Sequence, residues 1–132
     1  MLVVDSSVLI DVIAATPEWK DWSASQLTRY AAEQGLAINV IVYAEVSRVF
    51  ATAKLQNQFI KEAGIKVLPI SNEVAFLAAR AHASYRAAGG NRLATLPDFF
   101  IGAHAQDKGY ALLTRDPVRI RNYFPKVRLI SP

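Results

Sequence analysis

Cysteine is absent from the 132 residues, which excludes disulfide staples, zinc–thiolate sites and thiol nucleophiles. Histidine is scarce: only His82 and His104 are available, so a two-histidine acid–base site would need that pair. Long apolar runs are missing as well. The longest stretch without a charged side chain runs from Gln34 to Ala44, short of the roughly 20 residues a membrane-spanning helix needs. The opening Met1-Leu2-Val3-Val4-Asp5 has neither a basic segment nor a small-residue cleavage site, so no signal peptide is expected and a cytoplasmic setting is. Glycine and proline, six of each, punctuate the chain without forming a linker, a repeat or a low-complexity tract. One domain over residues 1–132 is the expectation.

What is present is a globular composition, 52% hydrophobic and 20% charged. Charge is uneven. Residues 67–132 hold nine basic side chains against four acidic ones, and seven of the nine are arginine, the residue suited to forked phosphate contacts. On charge alone two readings stand: a polyanionic partner such as nucleic acid, or ordinary solvated faces.

Short β-branched runs alternate with helical segments. Leu2–Val4, Ala37–Ile41, Lys66–Ile70, Ala111–Leu113 and Val127–Ile130 read as strands, apolar enough for a parallel sheet covered on both faces. Thr16-Pro17-Glu18 opens a helix that stops at Gly35, with Trp19, Trp22, Leu27 and Tyr30 at helical spacing. Ser71-Asn72 opens another, with Val74, Leu77, Ala78, Ala81 and Tyr85 on its apolar face and Gly89-Gly90 at its end. Further helices follow Leu96-Pro97 and Asp116-Pro117. Strand–helix alternation predicts an α/β fold, a three-layer α/β/α sandwich around a mostly parallel sheet.

Four carboxylates sit at strand-to-helix junctions. Asp5 ends the first strand, Glu45 lies in the helix after Ile41, Asp98 follows Pro97, and Asp116 follows the strand Ala111–Leu113. In a parallel sheet the carboxyl ends of the strands share one edge, where ligands bind. Each acid has a plainer explanation by itself: Asp5, Asp98 and Asp116 can cap or open helices, and Glu45 can pair with Arg48. Four together would repel and raise one another's pKa, and a hard divalent cation such as Mg²⁺ or Mn²⁺ relieves that.

With those residues assembled, the sequence resembles PIN-domain ribonucleases, and among them the toxins of VapBC-type toxin–antitoxin pairs. The likeness is carried by Val3-Val4-Asp5-Ser6-Ser7-Val8-Leu9-Ile10, Val42-Tyr43-Ala44-Glu45-Val46, Leu96-Pro97-Asp98-Phe99-Phe100-Ile101-Gly102-Ala103-His104-Ala105 and Leu112-Leu113-Thr114-Arg115-Asp116. Ser6-Ser7 stands where many members have threonine and asparagine. The resemblance implies a Mg²⁺- or Mn²⁺-dependent endoribonuclease with Asp5, Glu45, Asp98 and Asp116 as its catalytic, metal-holding acids. It also implies supporting hydroxyls at Ser6 and Thr114, an RNA substrate, a homodimer and a cognate antitoxin that blocks the groove. Arg80, Arg86, Asn91, Arg92 and Arg115 are the candidates for RNA contacts. His82 and His104 read as structural.

Three other readings can be separated by single residues. A receiver-type Mg²⁺-binding phosphoacceptor carries paired acids after its first strand, where Ser6-Ser7 stands here, and a late lysine, where Thr114-Arg115-Asp116 stands. A haloacid-dehalogenase-like phosphatase needs a second acid at position 7, which is serine. A catalytically silent binding domain would lack one of the four acids.

Overall fold

Apolar β-branched segments too short to be helices pair into a five-stranded, all-parallel sheet. A computed structural model describes residues 1–90 and 94–132. Its strands are β1 (Leu2–Val4), β2 (Leu36–Asn39), β3 (Ile65–Leu68), β4 (Ala111–Leu113) and β5 (Leu129–Ile130). Their order is β3-β2-β1-β4-β5, with Leu2 in register with Leu36 on one side and Val4 with Leu113 on the other. The helices are α1 (Ser6–Ile13), α2 (Lys20–Glu33), α3 (Val40–Val46), α4 (Ala53–Glu62), α5 (Asn72–Ala87), α6 (Phe100–Lys108) and α7 (Val118–Tyr123). They complete the three-layer α/β/α sandwich. No helix among the described residues is long and apolar enough to cross a membrane.

The three central strands are buried along their whole length, as their unbroken apolar runs require. The edge strands differ: β3 exposes Lys66 and Val67, and β5 is half-buried. Boundaries also move. β2 ends two residues earlier than the sequence suggests, because its last residue, Asn39, also caps α3, its side chain accepting the Val42 N–H at 3.0 Å. β3 ends before Pro69, which has no N–H to give a ladder. α2 begins at Lys20 and not after Thr16, since the residues after Pro17 form a turn in which the Trp19 N–H reaches the Thr16 carbonyl. α4 has no counterpart in the sequence reading.

The strand order places a topological switch between β1 and β4, since the chain runs outward from β1 through β2 to β3 and then returns to β4 beside β1. The carboxyl ends of these two strands therefore frame the crevice where open α/β sheets bind ligands. Beneath it, Asn39 links two helices of the site. With Oδ1 committed to the cap, its Nδ2 faces His104 Nδ1 at 3.2 Å, so neutral His104 accepts there. Protonating the ring would set donor against donor in a buried place. Burial, then Lys108, lowers the His104 pKa from the usual 6.5.

A histidine whose folded pKa is lowered contributes stability above its unfolded pKa and loses it as pH falls through that window. Acidification from pH 7.5 to 5.5 should thus lower the melting temperature of the parent more than that of His104→Gln. Equal acid losses in the two proteins would refute the assignment.

Candidate active site

Asp5 follows β1 directly and occupies the N-cap position of α1, yet its side chain does not cap the helix. Its Oδ2 accepts the Thr114 hydroxyl at 2.7 Å and the Ser7 hydroxyl at 3.3 Å. Thr114, fully buried at the end of β4, also accepts the Asp116 N–H at 3.0 Å through the same Oγ1. One hydroxyl thus ties the first acid to the last across the switch point. The backbone agrees, with the Asp5 N–H bonded to the Leu113 carbonyl at 2.9 Å.

Glu45 lies in the last turn of α3, whose Val42 and Val46 are buried beneath it. The nearby Ser6 hydroxyl lowers the pKa of its carboxyl. Asp98 stands in a 3₁₀ turn, Leu96–Phe99, that leads into α6. It performs the capping task its position allows, with Oδ2 accepting the Thr95 N–H at 2.6 Å and the Thr95 hydroxyl at 3.2 Å. Asp116 precedes Pro117, the residue that caps α7.

All four acids line one cleft of about 1040 Å³, together with Ser6, Ser7, Arg115, Arg119 and Asn122. Their charges are felt in the titrations. Burial raises the Asp5 pKa, and the nearby Asp116 adds to the rise against the hydrogen bonds from Thr114 and Ser7. Glu45 is exposed as a residue, yet loss of water around its carboxyl, followed by the charges of Asp5 and Asp98, pushes it up to about 7. Among the described residues no three Asp, Glu or His side chains are gathered closely enough to enclose an ion by themselves. The donor set is all oxygen, which suits a hard cation that keeps several of its waters and takes one or two carboxylates.

The basic candidates are scattered. Arg115 lines the cleft, but its Nε is bonded at 2.9 Å to Asp11 Oδ2, a fully buried carboxylate, and its guanidinium lies over Trp19. Arg80 stacks on Phe76 along α5, 4.8 Å from the ring centroid, and neither it nor Arg86 lines the cleft. Asn91 and Arg92 lie outside the described residues. His82 packs beside Phe99 and His104 is buried.

Sequence reasoning missed Ser7, which bonds Asp5, and Arg119 and Asn122, which the first turns of α7 bring into the cleft. The spacing of Arg119 and Asn122, three and six residues after Asp116, was the available signal.

Among solved structures, VapBC2 from Rickettsia felis, bound to a DNA fragment from its promoter, is similar over 98% of this chain and 97% of its own, with 17% identity and a TM-score of 0.74. DNA-bound VapBC from Salmonella typhimurium matches at 16% identity over 98% of this chain and 96% of its own, with a TM-score of 0.70. A toxin–antitoxin complex from Klebsiella pneumoniae reaches 24% identity over 96% and 95%, with a TM-score of 0.62. At these identities the likeness is one of fold. No curated protein sequence matches the chain. The sequence model of the PIN domain matches residues 2–124, nearly the entire chain. With the acids at the switch point of the parallel sheet, that match establishes that this chain belongs to the PIN domain family.

Proposed function

We propose that this chain is a metal-dependent endoribonuclease acting as the toxin of a toxin–antitoxin pair, with residues 1–132 forming its one nuclease domain. PIN domains are generally nucleases, and those nucleases typically use divalent metal ions. The observation that carries the proposal is the meeting of Asp5, Glu45, Asp98 and Asp116, from four separated segments, in one cleft. The pKa of Asp5 and that of Glu45 are both raised there, first by burial and then by the neighbouring carboxylates.

The acids fit a hard dication by donor type, and Mg²⁺ or Mn²⁺ would be held by them with water completing its shell. Once bound, such an ion opposes the charge of the phosphate and acidifies a coordinated water. The chain's own groups do the rest. Thr114 fixes one oxygen of Asp5 and keeps Asp116 beside it. Ser7 holds the carboxyl of Asp5 in place, and Ser6 stands beside that of Glu45. No side-chain nucleophile is required, which accords with a cleft that contains no cysteine and is lined by no histidine.

The three similar structures are a VapBC2–DNA assembly, a VapBC–DNA assembly and a toxin–antitoxin complex. By extension this chain would act in the cytoplasm as a homodimer held inactive by a small antitoxin that covers the acidic groove. The test is incubation of the purified protein with total RNA, with Mg²⁺, with Mn²⁺ or with EDTA. Discrete fragments that appear only with metal are expected. Fragments that persist in EDTA would overturn the metal-dependent reading, and intact RNA under every condition would overturn the ribonuclease reading.

A further inference from the structure

Among the described residues the cleft is lined by two arginines, and one of them makes no ion pair there. Arg115 is spent on the buried Asp11. Arg119 makes no ion pair among the described residues; its guanidinium lies 5.8 Å from the centre of the Phe99 ring. That ring is itself fixed, fully buried and packed against Tyr85, Tyr123 and His82 with centroid separations of 5.4 to 5.6 Å. Phe99 is the neighbour of Asp98, so the cation stands beside the acidic quartet without being neutralised by it.

A cleft with four carboxylates repels a polyanion wherever a bound ion does not compensate them. Arg119 is a partly exposed cation, pre-oriented by a rigid ring, in that same cleft. Asn122, one turn further along α7, adds an exposed amide to the lining. A guanidinium fork matched with an amide suits a phosphodiester group, and such contacts set the register of a strand.

We propose that Arg119, assisted by Asn122, grips a phosphate of the substrate strand flanking the one that is cleaved. This rests on the nuclease reading above. It also moves the phosphate contact from Arg115, the arginine the sequence suggested within the cleft, to the one that makes no ion pair among the described residues.

The test uses a short fluorescein-labelled single-stranded RNA of mixed sequence and full-length protein. In an Asp5→Asn background, which binds without cutting, Arg119→Gln should weaken binding about tenfold. It should also make the dependence of log K on log salt shallower by about 0.7, the contribution of one phosphate contact to a single strand. In protein that retains Asp5, Arg119→Gln should raise KM by a similar factor with kcat unchanged, the signature of lost uniform binding. Arg119→Lys should restore the salt slope but only part of the affinity, since it returns the charge and not the fork. Arg29→Gln removes the same charge from an exposed ion pair with Glu33 on α2 and should change nothing. Thermal melts of the Arg119 and Arg29 variants should match those of the background each was made in. If the salt slope and KM of Arg119→Gln equal those of the parent, Arg119 grips no phosphate and the nuclease reading still stands. If the parent protein neither binds nor cuts RNA, the nuclease reading falls and takes this inference with it.

Discussion

Asp5→Asn protein is expected to melt at or above the temperature of the parent and to cleave RNA at least about 100-fold more slowly. The activity loss is set against the 10- to 100-fold that removal of a group merely supporting a metal ligand costs. Asp5 stands closer to the chemistry than that. The stability expectation follows from the sign of its titration. A carboxyl whose folded pKa lies above its unfolded value is penalised in its charged form, so above the ordinary pKa of 3.8 it subtracts from stability and relieves the fold as pH falls. The asparagine removes that charge while its amide oxygen can still accept the Thr114 and Ser7 hydroxyls. A second readout separates ligand from prop. Saturating Mg²⁺ should raise the melting temperature of the parent, because an ion bound only by the folded state stabilises it by mass action. The shift should shrink in Asp5→Asn. A metal-free variant without a cooperative melt would instead make Asp5 a structural residue and remove the central support for the site.

The sequence carried the site further than it carried the residues around it. The four acids could be named because each stands next to a short apolar run, and the end of a run is where a strand gives way to a helix. The neighbourhood of β1 and β4, which brings Asp5 and Asp116 together, depends on strand order and is not written in any local pattern. α4 went unread although Thr52 caps it and Leu55, Phe59 and Ile60 fall at helical spacing. Its mean hydropathy is low, and the buried face includes a polar residue: Gln56 is buried and reaches the Tyr43 carbonyl and the Ser47 hydroxyl. Asp11 was invisible for a similar reason. A charged residue on a short helix reads as solvent-facing, and its tertiary partners, Ser23 and above all Arg115, 104 residues away, account for its burial. The same pair commits Arg115 within the protein, whereas Arg119 makes no ion pair among the described residues.

That pair is also where the largest stability effect should fall. Asp11 is wholly inaccessible to solvent, and its Oδ2 takes both the Ser23 hydroxyl and the Arg115 Nε at 2.9 Å. Oδ1 has no hydrogen-bond partner among the described residues, so the carboxylate has little to fall back on. Arg115→Met would strand it as a buried, uncompensated charge, a change that costs about 3 kcal/mol or more. For a chain of this length that corresponds to a melting temperature lower by roughly 10 °C. Asp11→Leu combined with Arg115→Met removes both charges together and should recover most of the loss, because the desolvation that the pair imposes vanishes with it. The pair fastens α1, which starts beside Asp5, to the segment after β4, which carries Asp116. The double variant should therefore be nearly as stable as the parent yet cleave more slowly, with its acids less firmly held in register. If Arg115→Met melts within a few degrees of the parent, the ion pair carries no such burden, and the hold on Asp116 must come from Thr114 alone.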